Sequence, residues 1–255
     1  IPDSVTSIGG SAFSGCSSLK SITIPSSVKE IGTTVFKNSE RLGKVSFECD
    51  LKVLPPYIFY QCEQLKNVTF THELKEIGEF AFYCSDASEF NIPDTVKKIS
   101  TSAFENSKIT YADLSNVSEI GTFAFSGCSY LETVIFNDKL KVITSNAFSW
   151  SAIKELTIPS SVIHIEKEAF DNCVQLERIV FENENVDIHK EAFANCMNLK
   201  TIVYKGKEIN VSNLILNHID KDVLEYIYTN SDELSKLKAP VTIRTLNKLK
   251  EANLL

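Results

Sequence analysis

The sequence IPDSVTSIGGSAFSGCSSL, residues 1–19, returns at residues 158–176 as IPSSVIHIEKEAFDNCVQL. Looser copies of the same phrase lie between these two stretches, and each copy carries one phenylalanine at the same place. These nine marker residues are Phe13, Phe36, Phe59, Phe82, Phe104, Phe125, Phe148, Phe170 and Phe193. A spacing of 21 to 23 residues is typical of a repeat protein in which each unit forms one structural turn.

Two further positions recur in every unit. The residue before the marker Phe is alanine in seven of the nine units, so little space is available there. An aliphatic residue stands five positions before each marker Phe, which predicts a second buried ladder: Ile8, Ile31, Leu54, Ile77, Ile99, Ile120, Ile143, Ile165 and Ile188. One unit alone cannot enclose a core, so we predict that the units stack in an α/β repeat solenoid.

A short strand is predicted after each marker Phe. The phrase L-x-x-L-x-L stands there, for example LETVIF at 131–136 and LERIVF at 176–181, and its alternation is typical of a strand. Units stacked at the ~4.8 Å spacing of paired strands would form a continuous parallel sheet. The segments around the marker Phe are too short for full helices, so we expect turns or short 3₁₀ segments opposite the sheet.

The repeated phrase Ile-Pro-Ser-Ser-Val-x-x-Ile-Gly-x-x-Ala-Phe-x-x-Cys-x-x-Leu closely resembles the BspA-like leucine-rich repeat. The resemblance covers about residues 1–204, in all nine units. It implies a right-handed leucine-rich-repeat coil with the parallel sheet on its concave face. It also implies a secreted or cell-surface protein of a host-associated bacterium or protozoan, with a role in adhesion to host proteins. The main departure is Ala87, which stands where leucine is usual.

The outward strand positions form two columns that change character along the chain. One column is polar in its first five units but later holds Ile135, Val180 and Val203, and exposed apolar groups of this kind can mark an interaction site. The other column holds Tyr111 and Arg178, residue types that are enriched at interface hot spots. The alternative is that β-branched residues stand there because they favour strands. The predicted protein-binding surface consists of Tyr111, Asp113, Thr133, Ile135, Glu155, Thr157, Arg178, Val180, Thr201 and Val203.

Six of the seven cysteines stand two or three residues after a marker Phe. This repeat position predicts buried free thiols inside the coils, because Cys behaves there as a small apolar residue. Disulfides are the alternative, since Cys62 with Cys84, or Cys173 with Cys196, could reach the ~4.4–6.8 Å Cα separation that a disulfide needs. Cys49 lies outside this pattern and is expected to be exposed.

The sequence offers no recognisable catalytic chemistry. A formal net charge of -7 argues against nucleic acid or an anionic membrane as the partner. None of the four histidines has a second histidine at the i+4 spacing of a helical zinc site, and nucleophile-elbow and nucleotide-binding motifs are missing. We therefore expect no catalytic residue, metal or cofactor. Four glycines that follow a ladder isoleucine predict turn geometry: Gly9, Gly32, Gly78 and Gly121.

The repeat stops after Tyr204, so we divide the chain into a solenoid of nine repeats, residues 1–204, and a capping segment, residues 205–255. Apolar spacing in the capping segment predicts a helix over 219–238 that is broken near Asn230. A mostly helical cap would cover the last coil and its unpaired strand edge.

Two more elements are expected near the end of the chain, and one before its beginning. Residues 240–243 favour a short strand, and a final helix is expected through Leu246, Leu249, Ala252 and Leu255. The first coil has no such cover in the sequence, so we expect a further repeat or a cap before Ile1.

These features predict a non-catalytic protein-binding module of a secreted or cell-surface protein. Its expected partner is another protein, such as a host extracellular-matrix or surface protein, with neither nucleic-acid binding nor membrane insertion. The alternative is a rigid spacer or assembly element whose activity belongs to a domain outside this sequence.

Overall fold

The computed structural model describes residues 1–252, which form a stack of coils followed by a short capping segment. Coils 1 to 9 are numbered by their marker Phe, from Phe13 to Phe193. The elements are β1 (Ser7–Ile8), β2 (Ser21–Ile24), β3 (Glu30–Ile31), β4 (Lys44–Phe47), β5 (Val53–Leu54), β6 (Asn67–Phe70), β7 (Glu76–Ile77), β8 (Lys98–Ile99), β9 (Tyr111–Asp113), β10 (Glu119–Ile120), β11 (Thr133–Ile135), β12 (Val142–Ile143), β13 (Glu155–Ile158), β14 (His164–Ile165), β15 (Arg178–Phe181), β16 (Asp187–Ile188), β17 (Thr201–Tyr204), β18 (Lys207–Asn210), β19 (Leu214–Ile215), α1 (Lys221–Thr229), α2 (Ser231–Leu234), β20 (Val241–Thr242) and α3 (Ile243–Glu251).

The coils are joined by two sets of parallel strands. A two-residue strand precedes each marker Phe, and these short strands pair in register, with Ile8 beside Ile31 in the first two coils. A longer strand follows the marker Phe and pairs with its counterpart in the next coil, as Ile22 does with Val45. Side chains alternate along the long strands, and in β13 Leu156 and Ile158 are buried. The predicted parallel-strand solenoid is confirmed.

Turns around the marker Phe form a third link between coils. The residues two before and two after the Phe take a positive φ in almost every coil, as Ser11 (60°) and Gly15 (69°) do in coil 1. The N–H of each marker Phe from Phe13 to Phe170 donates to a carbonyl of the next coil at 2.7–3.0 Å. These segments are thus turns rather than 3₁₀ helices, and they satisfy backbone groups that would otherwise be buried without partners.

The marker rings stack along the solenoid. Neighbouring ring centroids are 4.9–5.7 Å apart from Phe13 to Phe193, and most neighbouring planes lie within 13° of parallel. The rings from Phe36 to Phe170 are fully buried, whereas Phe13 at the first coil is only partly buried. Offset stacks at this separation are favourable for aromatic pairs, so the Phe column is a continuous core.

Coil 4 interrupts the predicted sheet. Among residues 1–252 it is the one coil without a long strand, because the chain turns at Ala87, which takes a φ of 45°. The buried ring of Phe90 lies 4.7 Å from Phe82 and fills the core at this place. The long strands form three groups, β2-β4-β6, β9-β11 and β13-β15-β17-β18, instead of one continuous sheet. The first gap is at coil 4, and the second lies between β11 and β13, which are both present but not paired.

The glycines after the ladder isoleucine serve close packing as well as a turn. Gly32, Gly78 and Gly121 have ordinary φ angles, but a Cβ at any of them would lie 2.3–2.4 Å from the backbone of the preceding coil. Gly9 occupies the same position in coil 1 and has no neighbour within 4 Å of a Cβ. The predicted turn geometry is present, because the carbonyls of Gly9, Gly78 and Gly121 accept hydrogen bonds from the N–H three residues later. The need for glycine itself, however, comes from the neighbouring coil.

The thiol column has a hydrogen-bonding role. All seven cysteines are free, and the thiols of Cys62, Cys128 and Cys173 donate to the carbonyl of the marker Phe in the preceding coil. In coil 2 the Ser39 hydroxyl donates in the same way to the Phe13 carbonyl. The expectation for Cys49 was wrong, because its side chain is only 4% exposed.

The segment after Tyr204 begins with a hairpin, which the sequence analysis missed. The two residues Lys205 and Gly206 both have positive φ, as tight hairpin turns require, and β18 returns antiparallel to β17. The segment is therefore less helical than predicted, because β18, β19 and β20 precede or separate its helices. The boundary at Tyr204 stays a prediction.

The predicted helices of this segment are present. The helix over 219–238 forms as α1 and α2 with Asn230 between them, and the predicted short strand forms as β20. The last helix ends at Glu251, and Leu255 lies outside the described residues. Helix α1 packs beside the last coil, where the buried Tyr204 hydroxyl donates to the Glu225 carboxylate at 2.7 Å.

Candidate protein-interaction surface

The sheet face is the outward side of the long strands, and it carries all ten predicted binding residues. Six of them are exposed: Tyr111, Asp113, Thr133, Ile135, Glu155 and Thr157. The other four are only partly exposed: Arg178, Val180, Thr201 and Val203. The predicted surface is therefore most accessible on coils 5 to 7.

Strands β9 and β11 bring an aromatic and an aliphatic side chain together on this face. Tyr111 pairs with Thr133, and Ile135 pairs with Asp113 in the same parallel register. Tyr111 is 39% exposed and Ile135 is 41% exposed, although both belong to residue types that proteins usually bury. We name these two residues and the surface between them the Tyr111–Ile135 patch.

The partly exposed residues on β15 and β17 have a neighbour that the repeat pattern does not contain. Strand β18 places Glu208 beside Val203, and the Glu208 carboxylate accepts a hydrogen bond from the Arg178 guanidinium at 2.9 Å. The expectation that Val180 and Val203 lie exposed on the sheet face is met only in part, because both are half-buried. Arg178 is already paired, so it is less available to a partner than the sequence indicated.

Only some of the charged side chains on the sheet face form ion pairs. Glu132 is paired with Lys154 at 2.8 Å, as Arg178 is with Glu208. By contrast, Asp113 and Glu155 form no ion pair with any residue of 1–252. Asp113 is the register partner of Ile135, and Glu155 lies one coil further on, on β13, which contacts β11. The patch is therefore apolar at its centre and has carboxylates at its edge and in the next coil.

The first three coils give the sheet face a different chemistry. A shallow depression of about 420 Å³ lies there, lined by Ser21, Ile22, Thr23, Lys44 and Ser46. The Thr69 hydroxyl donates to the Ser46 hydroxyl at 3.1 Å in the neighbouring coil. This half of the face is polar, as its column predicted, and the break at coil 4 separates it from the apolar half.

Exposed apolar side chains also occur away from the sheet face, and the sequence analysis overlooked them. The single Trp and single Met of the chain are 60% and 78% exposed, at Trp150 and Met197. Both follow a marker Phe by a few residues, on the turn side of the coils. The signal was present in the sequence for Trp150, because other coils hold Gly, Cys, Asn or Gln at its repeat position, whereas Val174 shares the position of Met197.

Two thiols in the core have strongly shifted pKa values. Burial raises the pKa of the Cys62 and Cys128 thiols to about 12, so they remain protonated at neutral pH and are poor nucleophiles. No group of three or more His, Cys, Asp or Glu side chains within residues 1–252 is placed to hold a metal ion. No described helix is both long and apolar enough to cross a membrane.

The repeat matches a known sequence family over most of its length. The profile of the BspA-type leucine-rich repeat region matches residues 1–111 and 107–221, in six copies. The chain belongs to the BspA-type leucine-rich repeat family. A comparison with curated proteins gives no match.

Solved structures include similar leucine-rich repeat proteins. A leucine-rich repeat protein from Bacteroides ovatus ATCC 8483 is 26% identical with a TM-score of 0.54, over 78% of this chain and 59% of that protein. The BspA-type chain thus spans less than two thirds of that relative.

Two further relatives are more distant. A leucine-rich repeat protein from Eubacterium ventriosum ATCC 27560 is 21% identical with a TM-score of 0.44, over 79% of this chain and 77% of that one. A leucine rich cell surface protein from Faecalibacterium prausnitzii A2-165 is also 21% identical, with a TM-score of 0.32, over 80% and 84%.

Proposed function

We propose that this BspA-type chain is a non-catalytic protein-binding module that uses its sheet face, which we assign to the concave side of the solenoid. The observation that carries the proposal is the exposed pair Tyr111 and Ile135 on adjacent strands. Apolar side chains left in water favour a partner that buries them, and aromatic residues are frequent anchors of protein interfaces.

We further propose that the module acts on a secreted or cell-surface protein, in adhesion to a host or neighbouring-cell protein. This role is the one that the BspA-type family implies, and the regular face supports it physically. Parallel strands hold outward side chains at fixed intervals, so a partner meets a preformed surface and little ordering entropy is lost on binding.

The experiment is biolayer interferometry of the purified chain against a panel of extracellular-matrix and cell-surface proteins. The test variant carries Tyr111→Ala and Ile135→Glu, and circular dichroism must show that parent and variant are equally folded. We expect saturable binding of the parent to at least one partner and loss of that binding in the variant. Equal binding by both proteins would place the interface elsewhere.

The continuous Phe column favours a second role, that of a rigid spacer or assembly element. A stack of rings along all nine coils, buried from Phe36 onward, resists bending, because close-packed interiors transmit strain instead of absorbing it. Absence of binding to every protein of the panel would favour this role over the first.

A further inference from the structure

The two unpaired carboxylates beside the Tyr111–Ile135 patch indicate what its partner must carry. Asp113 is the paired neighbour of Ile135 in the strand register. Glu155 holds the repeat position of Thr133 on β13, a strand that contacts β11 without being hydrogen-bonded to it. An apolar partner covering this patch would strip water from two negative charges without replacing it, which is costly.

The Asp113 carboxylate is held in place with one oxygen free. Its Oδ1 accepts hydrogen bonds from the backbone N–H and the hydroxyl of Ser115. Its Oδ2 accepts none from the described part of the chain. A fixed acceptor pointing at solvent beside an apolar side chain is suited to an ammonium or guanidinium group, since a charge-assisted hydrogen bond forms there without reordering the site.

No Lys or Arg side chain among residues 1–252 forms an ion pair with Asp113 or Glu155. Arg178 is the register neighbour of Glu155 on β15, but its guanidinium forms its ion pair with Glu208, and Lys154 forms its ion pair with Glu132. Lys44 lies on coil 2, beyond the break at coil 4. The net charge of -7 adds a longer-range attraction for positive partners.

We propose that the Tyr111–Ile135 patch binds a protein segment that presents a lysine or arginine directly beside an apolar side chain. The inference rests on the proposed function and narrows it to one partner chemistry. The apolar side chain covers Ile135 and Tyr111, and the cation meets Asp113 and Glu155 at the edge of the contact. Such edge charges act mainly on association rate and specificity.

The test is selection from a displayed library of random short peptides against three immobilised proteins. These are the parent, the neutral isosteric variant Asp113→Asn with Glu155→Gln, and the variant Ile135→Glu. Peptides that bind the parent but not Ile135→Glu should carry Lys or Arg next to an aromatic or aliphatic residue. On the neutral variant a representative peptide should bind about 3- to 10-fold more weakly and lose its salt dependence.

The outcomes separate this inference from the proposed function. If the selected peptides prefer the parent over Ile135→Glu but lack Lys and Arg, or bind the neutral variant equally well, the inference is overturned and the sheet face keeps its proposed role. If no peptide distinguishes the parent from Ile135→Glu, the proposed function itself fails and the inference falls with it.

Discussion

The marker phenylalanines form the centre of the hydrophobic core. Phe104 lies between Phe82 and Phe125, with ring centroids at 4.9 and 5.1 Å, and is fully buried. Phe13 holds the same repeat position but has one stacked neighbour, Phe36, and is partly exposed. The contribution of a marker Phe to stability should therefore depend on its place in the stack.

We expect Phe104→Ala to lower the free energy of unfolding by about 3–5 kcal/mol, because it removes a buried ring and leaves a cavity. Phe13→Ala is the matched control and should cost clearly less. Urea denaturation followed by circular dichroism measures both. Similar losses of unfolding free energy at the two positions would mean that the contribution of a marker Phe does not depend on its place in the stack.

The sequence predicts the environment of a side chain correctly where that environment depends only on the repeat. The marker Phe column and the exposure of Tyr111 and Ile135 were predicted, since both depend only on the alternation within a coil. The partial burial of Val180 was not predicted. Its register partner Val203 pairs with Glu208, which belongs to β18 outside the repeat. Cys49 was misjudged because its burial depends on contacts that no repeat position encodes.

At the scale of elements, the spacing between neighbouring coils is set by backbone contact. A Cβ on Gly121 would lie 2.4 Å from the backbone nitrogen of Thr101 in the preceding coil. The backbone of a paired coil cannot yield as a flexible side chain can. Where this position is glycine in coils 2, 4 and 6, the two backbones therefore approach too closely for a side chain, whereas coils 7 to 9 hold Thr144, Glu166 and His189 there.

Gly121→Ala is expected to lower the free energy of unfolding by about 1–3 kcal/mol through overpacking. Gly9→Ala changes the same repeat position in coil 1, where nothing lies within 4 Å, and should have an effect within about 0.5 kcal/mol. Urea denaturation of the two variants provides the comparison. A destabilised Gly9→Ala, or an unaffected Gly121→Ala, would refute the close-approach explanation.

The attachment of α1 to the last coil should depend on pH. The pKa of Glu225 is held below its ordinary value by hydrogen bonds from Lys205 and Tyr204. A carboxylate with a lowered folded-state pKa stabilises the fold above its unfolded pKa, about 4.3, and this contribution is lost as the pH falls through the folded-state pKa.

Thermal unfolding of the parent and of Glu225→Gln checks this sign. The parent should have the higher melting temperature at neutral pH, and the difference should shrink as the pH falls below about 4. Glu63→Gln, at an exposed position of coil 3, serves as the control and should show no such trend. A difference that stays constant with pH would contradict the role given to the Glu225 carboxylate.

Elements that depart from the repeat pattern were the hardest to predict. The missing strand of coil 4 follows from the turn at Ala87, and a single substitution in a repeat does not reveal which backbone conformation replaces the strand. The hairpin at Lys205 and Gly206 was missed because it continues the last strand with only one glycine as a signal. The α1–α2 break at Asn230 was predicted, since apolar periodicity marks both sides of it.

Across the whole molecule, exposed apolar groups are concentrated in the later coils. Most of the large exposed hydrophobic residues lie between Tyr111 and Met197, and few precede them. They include Ile135 on the sheet face, Trp150 and Met197 on the turn side, and Ile163 beside the short strand β14. The proposed function assigns the binding to the sheet face.

The most direct test compares one substitution on the sheet face with one on the turn side, using the partner found by interferometry. Ile135→Glu introduces a charge on the sheet face, and Met197→Glu introduces the same charge at an exposed apolar position on the turn side. We expect Ile135→Glu to abolish binding and Met197→Glu to leave the affinity unchanged. Loss of binding with Met197→Glu and retention with Ile135→Glu would contradict the proposed function.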